Sequence, residues 1–578
     1  MSFYGLETAM NLHSSKLLLC TMISFLSQTA FSADSPVDLA NRENDRIQQQ
    51  LQERQKFEQQ QLLQASKPPA RIEIAEPENT TTVIGPCLQI NHVDVLGNQH
   101  ISNKKIKNIT QTYENQCLNT SMIETLMGKI TTLYLNKGYA TTRVYLPEQD
   151  LKTGKLVLNV QEGKLSQLKV TDRSKGTLSL GTAAPFIQGK ILNLRDLEQA
   201  IDQINRLQSN NVKMEIVPGE KPGESIVVFD NEVRGRLHGY FAYDNKGQDS
   251  TGKNQAAAGL SLDNPFGLND LLSVSYNRSL PFKKDRQDSI SSSAMYIVPL
   301  GYNTLNFSAS KSEYDSMLKT QFNDLHSSGD TTTFSGRLDR LIYRGLNNQF
   351  RGNIGITTKD TNAYLEDIKL GVSSRKLTVL DIGTSYSDML LTGLVSLNLG
   401  YSKGLKQFDA LEDEHGLPDV APKAQFEKMS YGISYFKGFN FLGQNLSFST
   451  SFSGQQAFDT LYGSEQYSIG SLYNVRGFNQ NTISGDSGYA FKNDLNLNKV
   501  YDFNGTQIIA KHTLGLDYGR VFNKEHPSNV GELSGVSLGT SFNVNNVSLD
   551  LIATQPIHKL DYMKNQGAEL FFATTVSF

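Results

Sequence analysis

The sequence predicts a mainly β fold: an antiparallel β-barrel of the membrane-spanning kind, preceded by a polar helix and two small α/β units. Three observations carry this. From about residue 234 to the end, apolar and aromatic residues alternate with Ser, Thr, Asn, Gly and Ala in strand after strand. Between residues 86 and 233, two segments repeat a plan of strand, helix and two further strands. The one long apolar run lies before residue 27, in the setting of an export signal.

Bulk composition sets the frame. A chain of 578 residues is too long for one ordinary domain. The 38% hydrophobic share is low for a soluble globular protein, whereas Gly (46), Tyr (24) and Phe (29) are plentiful. A formal charge of −3 gives no case for a nucleic-acid partner. The negative mean hydropathy does not exclude a barrel, whose strands show lipid only every second side chain.

The elements follow in order. Lys16, the apolar run 17–26 and the small-residue site Ala30-Phe31-Ser32 read as a signal peptide over 1–32. Its removal leaves Cys87 and Cys117, which in an oxidising compartment suggest a bridge, two free thiols being the alternative. Closing that loop stabilises a small domain by roughly 3 kcal/mol in the chain-entropy model. Residues 33–64, rich in Gln, Arg and Glu, predict a helix polar nearly all round. Such a helix is solvated, joins a weak coiled coil through Ile47 and Leu51, or occupies a water-filled cavity. Residues 65–85 have linker composition.

The first α/β unit spans 86–162: strand 88–96, helices near 103–113 and 120–137, strands 140–146 and 156–160. Ile123, Leu126, Met127, Ile130, Leu133 and Tyr134 give its second helix an apolar stripe. The second unit, 163–233, reads strand 165–170, helix 195–208, strands 212–217 and 225–229. Residues 234–578 alternate, as in Leu237, Gly239, Phe241, Tyr243 and in Leu570, Phe572, Thr574, Val576, Phe578. About 345 residues of strand and loop make about 16 membrane strands of ordinary length.

The motifs resemble those of a known family, the TpsB outer-membrane transporters of two-partner secretion, which include ShlB-, FhaC- and CdiB-like proteins. Gly138-Tyr139-Ala140-Thr141-Thr142-Arg143 with Leu146-Pro147-Glu148-Gln149-Asp150-Leu151 resembles the family's first POTRA signature. Asn193-Leu194-Arg195-Asp196-Leu197-Glu198, with Pro218-Gly219 and Gly223-Glu224-Ser225, resembles the second. Asp263-Asn264-Pro265 with Gly267, Asn269 and Asp270 resembles the first barrel hairpin. Val475-Arg476-Gly477-Phe478 is similar to the loop signature of the wider BamA-like superfamily, and Leu516-Asp517-Tyr518-Gly519 to its F-x-D-x-G strand motif. Gly515 stands where the aromatic of that motif is usual.

The resemblance implies a 16-stranded transmembrane barrel, a plug helix over 33–64 and two periplasmic POTRA domains. It implies that Arg476 pairs with Asp517, and that Arg42, Arg46, Glu53 and Arg54, with Glu43 and Glu58, touch the lumen wall. The implied partners are an unfolded exoprotein held through the POTRA domains, outer-membrane lipid, and the barrel-assembly machinery through Phe578, with a monomeric transporter. The exoprotein would be an adhesin, haemolysin or contact-dependent inhibition toxin, passing through the pore as a hairpin and folding outside. Among the POTRA residues, a strand edge offers β-augmentation, whereas Tyr139 and Pro147 serve equally well to hold the fold.

Enzyme readings find little support. Gly535-Val536-Ser537-Leu538-Gly539 spells G-x-S-x-G inside an alternating strand, without the strand-to-helix elbow that exposes a nucleophile. The nine histidines have no metal-site spacing, so neither metal nor cofactor is expected. His238 and His512 are expected to face the pore. Two rivals remain: an assembly factor of the BamA-like kind, against which the polar helix argues, and a passive porin, against which residues 86–232 argue.

Overall fold

The computed structural model describes residues 36–64, 86–184, 187–281, 287–319, 323–524, 530–563 and 566–578. The signal peptide and linker readings fall outside these residues. Among the described residues no helix is long and apolar enough to cross a membrane.

Helix α1 (Pro36–Gln64) is sparse in apolar residues through its middle, where Ile47 and Leu51 stand among Gln, Arg and Glu, and its buried positions are mostly polar: Asn44, Gln48 and Gln49 beside Ala40 and Ile47. Its 29 residues span about 43 Å at 1.5 Å per residue.

In the first α/β unit the expected strand 88–96 is two strands, β1 (Leu88–Ile90) and β2 (His92–Leu96). The chain breaks at Asn91, whose N–H turns to Gly154 O at 2.7 Å. Helices α2 (Asn103–Thr110) and α3 (Thr120–Asn136) flank β3 (Gln116–Leu118), which pairs with β1. The Cys87–Cys117 disulfide ties the residue before β1 to the middle of β3, with a Cα–Cα distance of 5.3 Å. The expected strand 140–146 shrinks to β4 (Arg143–Tyr145), because residues before it form a turn instead. Strand β5 (Lys155–Gln161) lies between parallel β2 and antiparallel β4. The apolar stripe of α3 packs on β5, burying Ile123, Leu126, Ile130 and Tyr134 against Leu156 and Leu158.

The second unit repeats the sheet with β6 (Lys164–Val170), β7 (Val212–Pro218) and β8 (Glu224–Asn231), in the order β6-β8-β7. A short helix α4 (Leu180–Ala183), which periodicity cannot detect at four residues, precedes α5 (Leu194–Asn205).

Sixteen long antiparallel strands, from Leu237–Asp244 to Glu569–Ser577, then close into a barrel; a two-residue strand, Ile368–Lys369, extends one hairpin. Closure pairs Tyr240 with Ser577 and Asp244 with Ala573. Phe578 and Gly239 exchange backbone hydrogen bonds of 2.9 and 3.0 Å, and the Phe578 ring stacks on Phe241. The alternation sorts the two faces: Phe241, Leu399, Leu514 and Leu570 are exposed outward, while Ser273, Asn277, Thr331 and Asn496 are buried inward. His238 lies inward beside Asp263, 3.3 Å away. His512 does not. It shares its face with Leu514 and Leu516, pairs across the ladder with Leu497, and packs on Phe542, all on the outer wall. Strand parity overrides polarity there.

Candidate functional site

The site is built where a loop returns into the barrel. Residues 458–486 connect two long strands, Gln444–Ala457 and Ser487–Phe503, and carry a small ladder of their own: Tyr467–Ile469 pairs with Ile483–Gly485. Between these arms Ile469, Val475 and Phe478 are fully buried against Ala490, Val521, Leu533 and Met563. Apolar burial thus seats the loop on the inner wall before any charge is considered.

Arg476 then meets Asp517. The backbone N–H and Nε of Arg476 donate to Asp517 Oδ2 at 3.1 and 2.5 Å, and Nη2 donates to Oδ1 at 2.7 Å. This is a bidentate fork with a third bond from the main chain. Asp517 is 1% exposed. Nη2 also lies 2.7 Å from Asp494 Oδ1 on the neighbouring strand, a residue that sequence reading missed. Its only sequence trace is an acidic residue at an inward position of an alternating strand.

The pocket for the guanidinium is made of missing side chains. A Cβ on Gly515 would come 2.3 Å from Arg476 Nη2, and one on Gly535 would come 1.9 Å from Arg476 O. Gly535 sits directly across the ladder from Asp517, and Gly515 opposite Ser537. Gly519 leaves room for Val475, whose Cγ2 would be 2.8 Å from a Cβ there. Gly477 adopts φ +107°, which turns the chain between Arg476 and Phe478. Gly515, the departure from the expected motif, leaves open the space that Arg476 Nη2 occupies. Ser537 is a buried strand residue beside it.

A second anchor holds the same loop. Glu465, 4% exposed, lies 2.5 Å from Lys359 Nζ and 2.8 Å from Lys428 Nζ, which project from two other strands. Helix α1 runs against the loop and the wall together. Its Arg46 donates to Gln480 O at 3.1 Å and to Gln248 Oε1 at 2.9 Å, and pairs with Glu43. Asn474 donates to Glu53 at 3.3 Å, and Ser484 to Gln49 at 2.6 Å. On the wall, Arg54 meets Asp244 at 2.8 Å, Arg375 meets Asp45 at 2.9 Å, and Tyr314 donates to Asn44 at 2.8 Å. Arg42 is exposed, and the side chain of Glu58 lies outside the described residues. Both amide atoms of buried Gln48 lack a hydrogen bond among the described residues.

The residues of the two α/β units fall into two groups. Pro147, Gln149 and Leu151 hold the first fold: the Gln149 amide bonds Val157 through both its oxygen (2.8 Å) and its nitrogen (2.7 Å), and Leu151 packs on the core. Tyr139 packs on Tyr134 and His100, and Arg143 donates to the carbonyls of Ala140 and Thr142. Gly138, Asn193 and Leu194 instead come together. Leu194 N–H donates to Gly138 O at 2.8 Å, and a Cβ on Gly138 would come 2.3 Å from Asn193 Oδ1. Asn193 caps α5 by accepting from Arg195 N–H at 2.9 Å. The two signatures, far apart in sequence, form one joint. Near it, burial opposes ionisation of Glu162, but His100 (side chain and N–H), Gln99 N–H and the Tyr134 hydroxyl hold its carboxyl below the usual range.

Comparison with known proteins places this architecture. Residues 223–542 match the haemolysin secretion/activation protein ShlB/FhaC/HecB, residues 88–163 a ShlB-type POTRA domain, and residues 164–218 a POTRA domain. The outer membrane transporter CdiB of Dickeya dadantii is 32% identical, over 91% of this chain and 92% of that protein. The hemolysin transporter protein HpmB of Proteus mirabilis is 30% identical over 92% of each. The solved structure of CdiB from Escherichia coli matches with a TM-score of 0.83 at 30% identity, covering 93% of this chain and 99% of that one. CdiB from Acinetobacter baumannii, 22% identical with a TM-score of 0.76 over 94% and 99%, shares the fold. The chain belongs to the haemolysin secretion/activation protein family ShlB/FhaC/HecB, the TpsB transporters of the outer membrane.

Proposed function

We propose that this transporter exports one large exoprotein, which its periplasmic POTRA domains receive unfolded, and that α1 is a removable plug. One observation carries the reading: α1 lies in the lumen and is fastened to the wall and to the loop 458–486 by polar and ionic contacts, with little apolar surface buried. A helix held this way leaves a wet pore without re-exposing hydrophobic area. Its departure withdraws Arg46, Gln49 and Glu53 from the loop that carries Arg476, so plug and loop respond together. The exoprotein then passes as a hairpin and folds outside, where burial makes return unfavourable.

In the first POTRA sheet β4 has no further strand beside it among the described residues, and such an edge suits capture of an extended chain by backbone hydrogen bonds, whereas Val93 on the opposite edge already donates to Glu114. The outward apolar belt faces lipid, one chain closes the barrel by itself, and the exposed ring of Phe578 is the handle offered to the barrel-assembly machinery. No step calls for catalysis or a cofactor. The assembly-factor alternative is set aside, since the relatives that match most of the chain carry transporter names.

The test links the plug to the wall. Cysteines at positions 54 and 244, where the native side chains meet, joined by a bis-maleimide with a reducible spacer that replaces the reach of the arginine, should stop appearance of the exoprotein in the medium, and reduction of the spacer should restore it. Secretion continuing through a fully linked population would sink the plug reading.

A further inference from the structure

We infer that POTRA 2 is a fixed part of the barrel's periplasmic rim and stays seated there throughout export, so that the exoprotein enters on the opposite side of the mouth. This rests on the export reading above.

The seat is an ionic cluster centred on a buried pair, Arg344 and Glu198. Arg344, at the end of strand Asp324–Arg344, has a side chain 3% exposed, and donates to Glu198 at 3.1 Å and Asp202 at 2.6 Å on α5. Glu198, 1% exposed, also holds Arg195 at 2.5 Å. Lifting POTRA 2 off the rim would strand these charges in a partly dry interface, which strongly disfavours the motion.

Two further turns grip the same face. Gly301 O accepts from the amides of Gln199 (3.1 Å) and Gln203 (2.8 Å), Gly301 N–H donates to Thr182 O, and the Tyr302 hydroxyl meets Asp196. In the turn of the Asp263-Asn264-Pro265 hairpin, Asn269 exchanges two hydrogen bonds with the backbone of Ser179, at 3.0 and 2.7 Å. Its carbonyl accepts from Arg206 Nη2 at 2.8 Å. Burial pushes the Arg206 guanidinium down to about 10, with Asp263 and Asp270 opposing that shift. The hairpin motif thus finds its partners in Ser179 and in Arg206 just after α5, and the polar face of α5 finds its own in Arg344 and the turn at Gly301, roles that the export reading leaves open. The three turns belong to successive hairpins, so the grip is confined to one side of the rim. The turns after Leu390, Phe441, Phe503 and Val544 border the remaining side, where an entering chain has access.

The experiment uses the full chain in cells that also make its exoprotein. Cysteines replace Thr182 and Leu268, which approach to 2.9 Å across the interface and whose side chains take no part in the ionic cluster, and a short bis-maleimide joins them; Cys87 and Cys117 are spared because they are already bridged. With linkage driven to completion, as read by mass spectrometry of the joined peptides, exoprotein release is expected to equal that of untreated cells. Release abolished by linkage, while the unlinked double variant secretes normally, would overturn the inference. Arg344→Ala gives a second reading: a several-fold loss of secretion at unchanged barrel content supports a fixed seat, and undiminished secretion opposes it. If the parent chain releases no exoprotein at all, it is the export reading that fails, not the seat.

Discussion

Replacing Arg476 by Ala isolates the role of the buried pair. The variant keeps the backbone N–H bond to Asp517 but loses the two side-chain bonds of 2.5 and 2.7 Å, leaving a carboxylate that is 1% exposed. Stranding one member of a buried ion pair costs roughly 3–5 kcal/mol. At 1.4 kcal/mol per tenfold, the equilibrium between seated and released loop shifts by about two to three and a half powers of ten. Val475 and Phe478 remain buried, so the loop should stay mostly seated and open more often. Cleavage of residues 471–480 by protease added to intact cells follows that open population when reclosing is fast. We expect faster cleavage, reduced secretion and unchanged barrel in the membrane. The double variant Arg476→Ala/Asp517→Ala, which strands no charge at Asp517, should regain part of the protection. Cleavage at the parental rate in the single variant, or no recovery in the double, would refute the reasoning.

Other expectations follow from the same contacts. Gly515→Leu should reproduce the Arg476→Ala protease phenotype, because its Cβ alone falls 2.3 Å from Nη2; a protected loop would count against the trough. Arg54→Ala removes the 2.8 Å pair with Asp244, worth roughly 1.5–3 kcal/mol for a charged hydrogen bond. It should raise the frequency of large-conductance openings in planar bilayers, and an unaltered record would argue that α1 is held elsewhere. The Glu162 carboxyl has a folded value below its ordinary 4.5. Its stabilisation is therefore complete above about pH 4.5 and is lost as pH falls through the folded value. Hydrogen exchange at Gln99 and His100, corrected for intrinsic rate, should accelerate on acidification in the parent. In Glu162→Gln it should be fast already at neutral pH; equal pH profiles would contradict this.

Local pattern made much of this legible. A period of two separates Leu514 and Leu516 from Gly515 and Asp517, and helical spacing marks the α3 stripe. Both depend only on near neighbours. What lay outside reach depends on register between distant strands. Asp494 reaches Arg476 because Ser487–Phe503 pairs with Thr506–Phe522 in one register, and Gly535 admits Arg476 because it falls opposite Asp517. Polarity alone predicts a pore-facing His512, whereas strand parity turns it to the outer wall. Partners of α1 lie hundreds of residues away, and the break at Asn91 follows from a tertiary hydrogen bond to Gly154.

The trough that receives Arg476 has an asymmetry of tolerance. An arginine can be trimmed to any smaller residue and the chain still fits, with a graded loss of grip. Gly515, Gly519 and Gly535 can only be enlarged, and each enlargement meets the loop or its arginine. In a saturation library selected for secretion, the most restricted positions of this region should thus be residues that contribute no functional group. A scan for charged or reactive side chains would pass over them, although their emptiness shapes the lock.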